Sequence, residues 1–254
     1  MRGLLLLLAF LSGAAMAEAA PVEFHNTIAQ RTLACTACHG QQGRAGPDGY
    51  YPRIAGKPAG YLYNQLLHFR EGRRHYGLMA GLLDTLSDSY LWEIAQHFAS
   101  LEVPYAAPQP AAVPAELLQR GRALTHDGDP DRRVPACAAC HGKALTGVLP
   151  NVPGLLGLPR DYLNAQLGAW RTGQRRAVTP DCMAEIARRL SPEDLSAVTA
   201  FLSSEQLPVD AHPVSVQVPP AAPRRRGRKV QPPPVPEPPP MRCGFAQPPV
   251  GAAR

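Results

Sequence analysis

A six-residue pattern, Cys-x-x-Cys-His-Gly, occurs twice in this chain, as Cys35-Thr36-Ala37-Cys38-His39-Gly40 and as Cys137-Ala138-Ala139-Cys140-His141-Gly142. Each copy opens the same downstream series. After the first come Pro52-Arg53-Ile54-Ala55-Gly56, Tyr61-Leu62, Gln65-Leu66, Phe69-Arg70-Glu71-Gly72-Arg73-Arg74, Met79 and Leu86-Ser87. After the second come Pro150-Asn151-Val152-Pro153-Gly154, Tyr162-Leu163, Gln166-Leu167, Trp170-Arg171-Thr172-Gly173-Gln174-Arg175-Arg176, Met183 and Leu190-Ser191. So many matches in one order mean a duplicated unit, and whatever chemistry the first copy carries the second repeats.

The periodic segments are helical. Tyr61 to Glu71 places Leu62, Leu66 and Phe69 at helical spacing, and Tyr162 to Arg171 does the same with Leu163, Leu167 and Trp170. Each unit closes on another helix. Ser191-Pro192-Glu193-Asp194 reads as an N-cap, a proline at the first helical position and an acid at the third, and Ser87 opens the equivalent helix of the first unit. Residues 115 to 124 form a helix ahead of the second motif, with a weaker counterpart over 24 to 33. No segment alternates over strand length, so both units are expected to be all-α.

In Cys-x-x-Cys-His each residue has its own chemical duty. Two thiols add across the vinyl groups of a haem, two intervening residues on a helical turn set their spacing, and the adjacent histidine points its imidazole at the iron. Zinc would use the cysteine pairs together, yet they lie in separate repeats and each is followed by His. A thioredoxin-like dithiol needs a βαβ context that is absent, and plain disulfides leave both histidines unexplained. The expectation is two covalent haem c groups, at Cys35/Cys38 and Cys137/Cys140, with His39 and His141 as proximal iron ligands.

The sixth ligands follow from counting. Beyond residue 17 the chain has three methionines, and Met79 and Met183 occupy one register, seven residues before Leu86 and Leu190, while Met241 stands apart. His/Met ligation of haem iron makes Met79 and Met183 the expected axial pair. The open alternatives are His75 in the first unit and a Cys182 thiolate in the second. Pro52 and Pro150 are expected to offer the carbonyls that hold the proximal histidines. Arg73, Arg74, Arg175 and Arg176 are placed to meet haem propionates or to solvate a helix end. Cys182 and Cys243 are left over, and in an oxidising compartment they could pair.

The termini set the compartment. Met1-Arg2, an apolar run over Leu4 to Leu11 and Ala15-Met16-Ala17 have the three regions of a cleaved secretory signal, predicted over residues 1–17. The domains expected after it are 18–102, a Pro/Ala-rich linker 103–113, and 114–207. Residues 208–254 hold fourteen of twenty-nine prolines and seven basic against two acidic residues. That composition predicts a disordered tail. From 18 to 207 basic and acidic residues balance at eighteen each, so the basic pI of about 9.2 comes from the tail. Export excludes nucleic acid as the tail's partner and leaves it a candidate for peripheral membrane association.

With these motifs the chain resembles the dihaem cytochromes c4 over about residues 25 to 205. The resemblance implies two class I cytochrome c folds facing each other about a pseudo-twofold axis, propionates towards the interface. It also implies an electron carrier of the periplasm, with a quinol-oxidising complex or a dehydrogenase as donor and a terminal oxidase as acceptor. Two other readings stand beside the non-enzymatic carrier: a dihaem enzyme such as a thiosulfate dehydrogenase, and the cytochrome subunit of a periplasmic dehydrogenase.

Overall fold

The protein is described by a computed structural model over residues 23–46, 49–215 and 241–249. The expected signal peptide and residues 216–240 and 250–254 of the tail lie outside the described residues.

The first repeat is built from α1 (Ile28–Arg31), α2 (Leu33–His39), α3 (Ala59–Arg70), α4 (Gly77–Leu83) and α5 (Asp88–Ala99). Pro58 stands at the N-cap of α3, and the helix buries Leu62, Leu67 and Phe69. Ser87 caps α5 by accepting from the Tyr90 N–H at 3.3 Å, so that Leu91, Ile94, Ala95 and Phe98 turn inward. The helix expected over 24 to 33 is shorter and broken. It starts at Ile28 under a Thr27 cap and stops at Thr32, whose hydroxyl donates to the Ile28 and Ala29 carbonyls at 2.8 and 3.1 Å. Such a threonine competes with the helix's own donors and bends the chain.

The second repeat has α6 (Ala115–His126), α7 (Cys137–His141), α8 (Arg160–Thr172), α9 (Cys182–Arg189) and α10 (Pro192–Ser204). Its one departure from an all-helical unit is an antiparallel pair of two-residue strands, β1 (Gly147–Val148) and β2 (Val152–Pro153). Each repeat has its own apolar core, around Leu67, Leu91 and Phe98 in the first and Leu124, Val198 and Phe201 in the second. Among the described residues no helix is long and apolar enough to cross a membrane.

The start of α10 also ties the second repeat together. Ser191 Oγ accepts from Asp194 N at 3.1 Å, and Asp194 Oδ2 accepts from Ser191 N at 3.1 Å. The same carboxylate, 4% exposed, takes Arg120 Nε from α6 at 2.9 Å and Arg132 Nη1 at 2.5 Å. Burial alone would raise this carboxyl, but Arg132, the Ser191 backbone and Arg120 outweigh burial and hold it below the usual carboxylate range. Asp194→Ala is expected to destabilise the second repeat by about 2 kcal/mol, read from the denaturant midpoint. Because the folded pKa is depressed, the contribution is present above the ordinary carboxylate pKa of 3.8 and is lost as pH falls below it.

The segment between the repeats is packed. Arg53 donates to the carbonyls of Val103 and Pro104 and lies 3.8 Å from the Tyr105 ring centroid, while Gln109 N donates to Ser203 O at 3.0 Å.

The expectation of disorder from residue 208 onward is corrected for two stretches. Val214 pairs with β1, accepting from Leu149 N at 2.9 Å and donating to Gly147 O at 3.0 Å. Residues 241–249 are fixed by a Cys182–Cys243 disulfide and by bonds to α3. Composition failed as a guide here because a short segment can be held by one covalent bond and a few backbone hydrogen bonds, without a core of its own.

Candidate functional site

On α2 the thiols of Cys35 and Cys38 stand one helical turn apart with His39 next to them, and α7 repeats this with Cys137, Cys140 and His141. The glycine after each histidine lets the chain turn away. Gly40 has φ +74°, and a Cβ there would sit 2.1 Å from Ala45 O, while Gly142 has φ +85°. Both histidines are 8% exposed.

His39 Nδ1 donates to the Pro52 carbonyl at 2.8 Å, and His141 Nδ1 donates to that of Pro153 at 2.7 Å. A carbonyl can only accept, so Nδ1 carries the proton and Nε2 keeps its lone pair for a metal. The expectation for Pro150 is thereby corrected, since the acceptor is Pro153. Gly56 and Gly157 share φ +68°, and Pro58 and Pro159 both cap the following helix. Pro52 therefore corresponds to Pro153, and matching Gly56 with Gly154 placed the register three residues early. Pro150 sits at the contact between repeats, where its carbonyl accepts from Tyr61 N at 3.3 Å.

Burial lowers the pKa of both imidazoles, against the pull of the carbonyl bonds, and Arg74 beside His39 and Lys57 beside His141 lower them further. They are thus held neutral, the form that ligates a metal. Burial pushes the Cys137 thiol up to about 11 and raises those of Cys35 and Cys140. Among the described residues no three His, Cys, Asp or Glu side chains converge on a metal position. Zinc shared between the cysteine pairs has no support.

In the second repeat Cys137, Cys140, His141 and Met183 line one cavity of about 210 Å³ whose other walls include Leu163 and Val198. Met183 sits in the first turn of α9. Met79 sits in α4, half-buried and, like Tyr76 and Leu86, packed against the first core. His75 is exposed and uses its backbone N–H to reach Gln174 O at 3.0 Å. Cys182, the alternative thiolate, is bonded to Cys243 with a Cα–Cα distance of 5.5 Å and has no thiolate to offer.

The repeats meet through the helices that line these sites. Arg74 Nη2 donates to Gln166 Oε1 at 2.7 Å and to Tyr162 OH at 3.3 Å. Arg175 Nη2 donates to Gln65 Oε1 at 2.8 Å and to Tyr61 OH at 3.4 Å. Each arginine also bonds the glutamine of its own repeat and lies over its own aromatic ring, Phe69 or Trp170. Exchanging the repeats maps this set of contacts onto itself, as a local twofold requires. Of the four arginines singled out in the sequence, Arg74 and Arg175 come to the site; Arg73 pairs with Glu71 and Arg176 is exposed.

Charge is the strongest test of what these sites hold. Arg53, Lys57 and Arg175 line the cavity of the second site and are 5%, 5% and 3% exposed. Among the described residues neither they nor Arg74 has a carboxylate within 4.0 Å, and Lys57 Nζ has a single bond, to Gly154 O at 3.3 Å. Burial, with Arg53 nearby, lowers Lys57 to about 8. Trp170 Nε1 and His68 Nε2 line the same cavity, buried and without a hydrogen-bond partner among the described residues. Buried cations without a countercharge and orphaned polar atoms are costly. A flat apolar group with two carboxylates on one edge fills such a cavity and answers both, so the residues fit a haem. Sequence reasoning missed Lys57, Arg53 and Trp170. The available signal was the break in the repeat, with Leu158 and Gly154 standing at the places of Lys57 and Arg53.

Comparisons with known proteins agree. Residues 119–206 match the family model described as Cytochrome c. The chain is 35% identical over 173 residues to a thiosulfate dehydrogenase electron acceptor of Thiomonas intermedia, covering 68% of this chain and 79% of the relative. It is 33% identical over 177 residues to cytochrome c4 of Pseudomonas aeruginosa, covering 68% and 84%. Reduced recombinant cytochrome c4 from Pseudomonas stutzeri superposes with a TM-score of 0.60 at 29% identity, over 70% of this chain and 97% of that one. The thiosulfate dehydrogenase TsdBA of Marichromatium purpuratum matches at 0.61 and 32%, over 68% of this chain and 36% of its own.

Proposed function

Because the chain belongs to the cytochrome c4-like dihaem class I cytochromes c, we propose that it is a periplasmic carrier that takes electrons from a sulfur-compound dehydrogenase and passes them to a terminal oxidase or other acceptor. The observation that carries the reading is the engagement of Cys182 in a disulfide. It removes the one feature of the chain that favoured a thiolate-ligated catalytic iron. Similarity to two thiosulfate dehydrogenase electron acceptors supports the donor class.

Haem c, when bound, supplies the one-electron ferric/ferrous couple. Cys35 and Cys38, and Cys137 and Cys140, hold it covalently. His39 and His141 present Nε2 to the metal, with Pro52 and Pro153 fixing each ring's tautomer and angle. Met79 and Met183 would hold the metal together with the histidines, which would leave neither site a position for substrate. The apolar walls exclude water, which keeps reorganisation small. Arg74, Arg175, Arg53 and Lys57 would supply the positive charge that pairs with the propionates.

The test is carbon monoxide added to the purified ferrous protein. Two closed six-coordinate irons are expected to bind it slowly and incompletely, and rapid binding by one haem would make that site catalytic and overturn the carrier reading.

A further inference from the structure

Residues 241–249 run past the methionine side of the second site and on to the first repeat. Cys243 is bonded to Cys182, the residue immediately before Met183 and the first of α9. Gly244 N donates to Pro180 O at 2.9 Å, and a Cβ on Gly244 would meet the carbonyl oxygens of Thr179 and Val178 at 2.4 and 2.5 Å. The segment therefore lies directly on the loop that leads into α9. Two residues later Ala246 grips Asn64 of α3 from both sides, its N–H donating to Oδ1 at 2.8 Å and its carbonyl accepting from Nδ2 at 3.4 Å. Asn64 is 3% exposed, and Cys243, Gly244 and Phe245 line the cavity that His141 and Met183 share.

Both side-chain anchors are places where the repeats differ. Ala165 stands at the position of Asn64, and Leu78, 63% exposed, stands at that of Cys182. The first repeat's methionine helix thus has an open flank where that of the second is fastened.

We propose that segment 241–249 is a covalently anchored strap that fixes Met183 and closes its side of the second site, making the Cys182–Cys243 disulfide a positioning element for the sixth ligand of one haem only. This rests on Met183 being that ligand. The physical need is local. Met183 is the second residue of an eight-residue helix, and helix ends open more readily than helix centres. A thioether that swung out with its turn would leave the metal it held open to exogenous ligands. The disulfide removes that freedom by tying the turn, through the strap, to a buried side chain of the other repeat.

The test uses the full-length holoprotein as wild type, Cys182→Ala/Cys243→Ala, Asn64→Ala and Met183→Ala. The double cysteine variant is expected to bind carbon monoxide about tenfold faster at one ferrous haem, with the other unchanged. Asn64→Ala keeps the disulfide but removes both hydrogen bonds to Ala246, and reduction of that disulfide by dithiothreitol, followed by alkylation and mass, is expected to run about tenfold faster or more, since each such bond contributes on the order of 1 kcal/mol. Met183→Ala separates the strap from the reading beneath it, because loss of half of the ferric methionine-to-iron absorption establishes the ligand whatever the strap does. If Met183→Ala loses that absorption while the cysteine and Asn64 variants behave as wild type, the strap is overturned and the ligand stands. If Met183→Ala leaves the absorption intact, the ligand assignment falls and the positioning role falls with it.

Discussion

Replacing Cys35 and Cys38 together by alanine is expected to halve the haem that stays with the chain through denaturing electrophoresis, leaving one group per molecule. Haem held only by its axial ligands and apolar walls leaves an unfolded chain, whereas haem held by thioether links does not. The two sites lie in separate cores, so the second is expected to keep its spectrum in this variant. The matching change at Cys137 and Cys140 should remove the other half, and all four together should leave no stain. Full haem content after the first replacement would sink the attachment assignment.

Replacing Met183 by alanine is expected to lower the potential of one haem by on the order of 100 mV, since a thioether favours ferrous iron and axial ligation is a principal control of haem potential. Met79→Ala should do the same to the other haem. The two variants together should shift both, and a stepwise redox titration of each form distinguishes the cases. Unchanged potentials in both single variants would remove methionine from the sixth positions. They would leave the closed-site argument without its basis, and the carrier reading would lose its structural support.

Much of the fold was legible because its signals are local. The periodicity of α3 and α8 and the Ser191-Pro192-Glu193-Asp194 start of α10 are written within a few consecutive residues, and the structure has those helices. The misreadings arose where the answer lay between distant parts of the chain. From His39 to its carbonyl partner is thirteen residues, and from His141 it is twelve. Matching Gly154 with Gly56 then drew Pro150 into the place that belongs to Pro153. The partner of Cys182 is sixty-one residues further on, beyond a segment whose composition argues for disorder. Nothing short-range in the sequence connects the two. Lys57 escaped because a lone buried lysine has meaning only once the neighbouring repeat is seen to offer it no carboxylate.

The contact between the repeats has a bearing on how such a chain could arise. Arg74 with Gln166 and Tyr162 is mirrored by Arg175 with Gln65 and Tyr61. This is the self-complementary form of a contact between two identical subunits. In a homodimer of single units every substitution would appear twice, and the two halves could never diverge. Joining them through residues 103–113 makes their encounter intramolecular. A contact too weak to hold separate subunits then suffices, and each half is free to change alone. Lys57 facing Leu158 in the alignment, Asn64 facing Ala165 and Cys182 facing Leu78 are differences that a homodimer of single units cannot keep and a fused chain can. A symmetric contact held within one chain thus allows a molecule with two distinguishable ends.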